Sequence, residues 1–211
     1  MNKKMTYRTV LNSSKEEMIE KKSRFIASVK PVTTEEDAIS FINEIRANNR
    51  DATHNVYAYV VQENNISRYS DDGEPSGTAG VPVLEVINKE HLTDVAVVVT
   101  RYFGGTLLGA GGLVRAYGKS AKLGIDSAKI TEKIYCHQLS IVCPYDMLGK
   151  IRYLIETGGY ILGDITYSDS VNVSAYIKYD LLDKFLKELT ETTNASVEPK
   201  ITGEMYIDRL V

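Results

Sequence analysis

The sequence predicts an α+β fold in two domains, and three observations predict it. A β-branched run, Asp94-Val95-Ala96-Val97-Val98-Val99-Thr100, leads directly into a glycine-rich stretch and then a helical pattern. From Ile134 the pattern restarts as strand, helix, strand, strand, helix, strand. The charge balance also changes near that restart, from 18 Lys/Arg against 17 Asp/Glu up to residue 133 to 7 against 11 beyond it. A chain of 211 residues is long enough for two cores. The boundary is expected at Thr131–Lys133, which gives domains over 1–133 and 134–211.

Each element has its own local reason. Thr6–Leu11 and Ser23–Val32 alternate polar and apolar residues on either side of the charged stretch Lys15–Lys22, and read as strands or a hairpin. Thr34-Glu35-Glu36-Asp37 is an acidic first turn, and Ala38, Ile39, Phe41, Ile42 and Ile45 follow at helical spacing to about Asn48. His54–Val61 and Ile66–Tyr69, joined across Glu63-Asn64-Asn65, read as a second hairpin. Ser70–Gly80 contains no bulky apolar residue, so it is loop, and Pro82–Asn88 is a short helix. Asp94–Thr100 is apolar on both faces, as a covered central strand must be. After Gly104–Leu113 a helix runs to about Ala128. The tail then reads as a strand to Cys143, helix Tyr145–Thr157, strands Tyr160–Tyr167 and Val171–Tyr179, helix Asp180–Thr190 and strand Ser196–Ile207. For that order, βαββαβ, the compact solution is a ferredoxin-like domain.

Composition excludes several classes. At 43% hydrophobic and 25% charged, without low-complexity tracts, the chain is an ordinary folding sequence. The basic opening, Met1–Arg8, precedes no apolar core of a secretory signal, and no apolar run reaches membrane-spanning length, so a cytoplasmic protein with no membrane association is expected. Cys136 and Cys143 lie seven residues apart in one expected strand, about 23 Å by the strand rise, and cannot bridge there. His54, His91 and His137 are scattered singly and no zinc spacing occurs, so no metal and no cofactor are expected.

Two constellations carry chemistry. Gly104, Gly105, Gly109, Gly111 and Gly112 let backbone amides approach a ligand ahead of a helix whose first N–H groups lack partners, an arrangement that suits phosphate. Arg115, Lys119 and Lys122 follow at i, i+4 and i+7 and share one helix face, with Val114, Ala121 and Ile125 on another. With Arg101 they make a cationic surface in a chain of net charge −3. Neither dinucleotide nor P-loop spacing is present. The second constellation, Asp71-Asp72-Gly73-Glu74, has carboxylates close enough for a metal or for acid and base roles, and it is equally an acidic turn capping the next helix.

Four segments together resemble the YigZ/IMPACT family: Lys22-Ser23-Arg24-Phe25-Ile26-Ala27, His54-Asn55-Val56-Tyr57-Ala58-Tyr59, Ser70–Gly80, and Thr100–Gly105 with Leu108–Gly118. The resemblance spans residues from about 20 to 130, and the tail is similar to the additional domain of the family's bacterial branch. It implies for the first domain the fold of a small ribosomal-subunit protein's second domain and of domain IV of elongation factor G. For the tail it implies a likeness to domain V of that factor. A translation-linked protein that binds RNA or the ribosome is therefore the leading expectation, with Arg101, Gly104, Gly105, Gly111, Gly112, Arg115, Lys119 and Lys122 as the anion-binding residues. Two alternatives stand beside it: an enzyme on a small phosphorylated substrate, with Asp71, Asp72 and Glu74 as metal ligands or general base, and an adaptor for a protein partner in translation control. The enzyme requires the acidic and glycine loops to meet in one pocket.

Overall fold

The computed structural model describes residues 5–210, and it is mixed α and β with two five-stranded sheets. The chain divides into two compact units, built chiefly from residues 7–132 and 133–209.

In the first unit, β1 (Thr6–Val10) is followed by β2 (Ser14–Glu20), β3 (Ser23–Pro31), α1 (Glu35–Asn48), β4 (His54–Val61), β5 (Ile66–Ser70), α2 (Gly80–Lys89), β6 (Val95–Tyr102) and α3 (Ala110–Ala128). The sheet order is β2-β3-β6-β4-β5, with antiparallel neighbours throughout. The run at 94–100 is central because both its faces are covered. Val95, Val97 and Val99 pack with Tyr117, Ala121 and Ile125 of α3 and with Val83 and Ile87 of α2. Ala96 and Val98 pack on the other face with Ala38, Phe41 and Ile42 of α1. Thr34 caps α1 by accepting the Asp37 N–H at 3.1 Å, as its position before an acidic first turn predicts.

Three local readings change. The charged stretch Lys15–Lys22 is not a link between strands: most of it is β2, an edge strand alternating half-buried and exposed positions, and the hairpin turn is Lys21-Lys22, both at positive φ. Gly111 and Gly112 belong to the first turn of α3 and not to the preceding loop. Val114 is exposed, and the buried face of α3 is Leu113, Ala116, Tyr117, Ser120, Ala121, Gly124, Ile125 and Ala128.

The second unit contains β7 (Ile130–Cys143), whose first residues belong to the first unit, α4 (Tyr145–Thr157), β8 (Ile161–Tyr167), β9 (Val171–Lys178), α5 (Leu182–Thr193) and β10 (Pro199–Leu210). Its strands lie in the order β10-β7-β9-β8, the arrangement a ferredoxin-like βαββαβ chain adopts, and β1 also pairs with β7. Leu139, Ile141, Val173, Ala175 and Ile177 of the sheet meet Ile151 and Ile155 of α4 and Phe185 and Leu189 of α5. Cys136 and Cys143 are buried free thiols, and burial pushes the Cys136 thiol up to about 11. Among the described residues no helix is long and apolar enough to cross a membrane.

Candidate functional site

The acidic loop is held from within. Asp71 caps α2: its Oδ1 accepts the N–H groups of Ala79 and Gly80 at 3.0 and 2.8 Å, and its Oδ2 accepts that of Gly77 at 2.9 Å. This is why α2 starts at Gly80, two residues ahead of the Pro82 expected from sequence. Asp72 Oδ1 accepts from Arg46 Nη2 at 2.8 Å and its Oδ2 from the Asn55 N–H at 2.6 Å. Both carboxylates therefore fasten the loop to α2, α1 and β4.

Glu74 lies at the centre of a buried polar cluster. Its Oε1 accepts from Arg101 Nη1 at 2.6 Å and from Tyr117 Oη at 2.7 Å, and His54 Nε2 stands 3.8 Å away. Glu74 is 8% and Arg101 5% exposed. The pairing follows from register: His54 on β4 lies opposite Arg101 on β6, and Phe25 on β3 lies opposite it on the other side. The guanidinium sits 5.5 Å from the ring centres of both Phe25 and Phe103, a favourable place for a delocalised cation. His54 Nδ1 lies 2.8 Å from the Asp72 carbonyl oxygen, so Nδ1 carries the hydrogen and Nε2 is turned toward Glu74. Burial, and then the bond to Glu74, pushes the Tyr117 phenol far above its ordinary value. Arg101 Nε has no hydrogen-bond partner among the described residues.

The glycines separate into two groups. Gly104 is required by packing: a Cβ there would lie 2.0 Å from the Lys22 carbonyl oxygen, and its N–H donates to Ser23 Oγ at 3.2 Å. Gly105 is open to solvent at φ +80. Gly109 is the N-cap residue of α3 at φ +72, a left-handed position that favours glycine, and it supplies no side-chain cap. The first intrahelical bond runs from the Leu113 N–H to the Gly109 carbonyl at 2.9 Å, so the amides of Ala110, Gly111 and Gly112 precede the hydrogen-bonded ladder. Arg115 folds back toward them, its Nη1 3.6 Å from where a Cβ on Gly111 would sit.

Around this turn are two concavities of the first unit. A groove of about 200 Å³ is lined by Met18, Glu20, Lys21, Leu108, Gly112, Arg115, Ala116 and Lys119. Lys21, Arg115 and Lys119 have no ion-pair partner among the described residues. A cleft of about 440 Å³ lies on the other side of the turn. Its lining includes the polar His54, Glu74 and Arg101 and, beside them, Phe103, Leu107, Leu108, Gly109, Ala110 and Leu113.

The structure thus brings Gly111, Gly112, Arg115 and Lys119 together. Arg101 is buried and committed to Glu74, and the half-buried Gly104 is committed to Ser23. Lys122 is held by Glu90 at 3.3 Å and by Asp126, and the Asp126 bond raises its pKa. The acidic and glycine loops do meet in one cleft, through Gly73, Glu74 and Pro75; of the three carboxylates only Glu74 lines it, and Asp71 and Asp72 do not. No cluster of three His, Cys, Asp or Glu residues among the described residues is arranged to hold a metal ion. Lys21, His54, Phe103 and Tyr117 are not among the expected site residues, although His54, Phe103 and Tyr117 lie in the segments that carry the family resemblance.

Comparison with known proteins covers both units. The Impact N-terminal domain matches residues 21–125, and a domain of unknown function (DUF1949) matches residues 141–196. The IMPACT family member YvyE of Bacillus subtilis (strain 168) is 41% identical over 207 residues, covering 98% of this chain and 95% of that protein. The IMPACT family member YigZ of Escherichia coli (strain K12) is 37% identical over 152 residues, covering 71% of this chain and 73% of its own. A solved structure, described as the crystal structure of an hypothetical protein, aligns with a TM-score of 0.60 at 27% identity, over 95% of this chain and 98% of that one.

Proposed function

Because the chain belongs to the IMPACT family, we propose that it is a translation-linked binding protein that docks on RNA, free or in the ribosome, through phosphate contacts at the start of α3. One observation carries this reading: at the uncapped start of α3, Gly112, Arg115 folded back toward Gly111, and the unpaired Lys21 and Lys119 line one groove, with Glu20 as its carboxylate. Amides at a helix start accept an anion, and three nearby cations favour a polyanion over a single phosphate. The expected likeness to elongation factor G supports the same class of partner.

Phosphate contacts bring little sequence preference and a steep salt dependence. Purified protein titrated with ribosomes and with total RNA across a salt series tests the proposal. Saturable binding that weakens with salt, and drops by roughly tenfold or more in Arg115→Ala/Lys119→Ala, is the expected result. Undiminished binding in that variant, or none at low salt, overturns it.

A further inference from the structure

The turn that begins α3 is shared. Leu108 lines both the cationic groove and the 440 Å³ cleft, Gly109 and Ala110 face the cleft, and Gly112 and Arg115 face the groove. A group held by the α3 amides is therefore next to the cleft, within reach of what the cleft holds. The cleft has the size of a small-molecule site, with apolar walls and a few convergent polar groups. Phe103 and Leu107 are 47% and 83% exposed, and both present apolar surface to the cleft.

The polar part of the lining is specific. Glu74 is more than nine-tenths buried, and while its Oε1 takes two hydrogen bonds, Oε2 takes none among the described residues. Arg101 Nε is likewise without a partner. Glu74 lines the cleft, so a ligand that supplies an N–H to Oε2 gains a charge-assisted hydrogen bond there. Ring faces pack on Phe103 and on apolar walls, and among the bases adenine, cytosine and guanine carry an exocyclic amine while uracil does not.

We infer that the cleft receives the nucleobase of a nucleoside 5′-phosphate, its phosphate on the amides of Ala110–Gly112 and Arg115, with an exocyclic amine donating to Glu74 Oε2. The inference rests on the phosphate reading above and adds a base-reading pocket to it. The nucleotide arrives either free or as an unstacked residue of an RNA strand; both present the same chemistry.

Calorimetric titration of the full chain separates these cases. AMP, CMP and UMP are compared with inorganic phosphate and ribose 5-phosphate, and then with short single strands of the same bases. AMP and CMP are expected to bind about tenfold more tightly than inorganic phosphate, in the range of one base stacked on an aromatic ring, and UMP more weakly than CMP. Phe103→Ser/Leu107→Ser, at exposed positions, removes the nucleotide advantage and leaves inorganic phosphate binding in place. Glu74→Gln, which presents an amide donor, shifts preference toward UMP. Single strands binding more tightly than their mononucleotides identify RNA as the source, and equal affinity identifies free nucleotide; either supports the cleft. Nucleotides that bind no better than inorganic phosphate overturn the inference while the RNA proposal stands. AMP binding retained without any RNA binding overturns the RNA proposal alone.

Discussion

The loop from Ser70 to Gly80 and the turn from Gly109 to Arg115 are both polar, and both border the same cleft, yet they use their charge in opposite directions. In the loop, Asp71 accepts three backbone N–H groups, Asp72 holds Arg46 and the Asn55 amide, and Glu74 holds Arg101 and Tyr117. At the turn, the amides that open α3 precede the ladder, and Arg115 and Lys119 have no ion-pair partner among the described residues. Charge satisfied inside a protein holds structure, and charge left unsatisfied at its surface is available to a partner. The same composition of glycine and ionisable residues serves either purpose, and only the partners distinguish them.

The largest effect is expected where the loop's charge is buried most deeply. Glu74→Ala leaves the buried Arg101 guanidinium uncompensated, and breaking a buried pair from one side costs about 3–5 kcal/mol. Urea unfolding of the variant should show that loss, and Glu74→Ala/Arg101→Met should recover part of it because no lone charge remains. A loss below about 1 kcal/mol, within the range of an exposed pair, would break the contrast between loop and turn.

How much of this was legible in the sequence depends on how local each cause is. The bounds of α4 and the cap of α1 follow from residues a few positions apart, so spacing reveals them. The β2 edge strand was hidden because its inward side is only half-buried and carries Ser14, Glu16, Met18 and Glu20, which read as a charged link. The grouping of Gly111, Gly112, Arg115 and Lys119 was legible because helix periodicity places them together. The fate of Arg101 was not, since Glu74 lies 27 positions away and reaches it only through the β4–β6 register and the course of the acidic loop. Leu113, and not Val114, faces inward because the buried stripe of α3 centres on Leu113, Tyr117, Ser120 and Gly124, which leaves Val114 at its edge.

A smaller effect is expected from the loop's capping carboxylate. Asp71→Ala removes the acceptor for the N–H groups of Gly77, Ala79 and Gly80. Loss of a helix cap typically costs about 1–2 kcal/mol. Hydrogen exchange sharpens the point: amides at the start of α2 should exchange faster in the variant, with those of β6 falling only by the global change in stability. Uniform loss of protection throughout the unit would instead mean that Asp71 acts on the whole fold.

The smallest effect on stability is expected at the turn. Arg115 and Lys119 are exposed, four residues apart on α3, and therefore repel one another along one helix face. Replacing both with Ala removes that repulsion and introduces a stronger helix former, so unfolding free energy should stay within about 0.5 kcal/mol of the parent chain. Any difference should be a slight stabilisation at low salt that shrinks as added ions screen the parent's repulsion. The pair of readouts matters because a weakened fold also loses ligand binding. Undiminished stability with lost RNA affinity would locate the effect at the surface, whereas a substantial destabilisation would show these cations holding structure, as the acidic loop does.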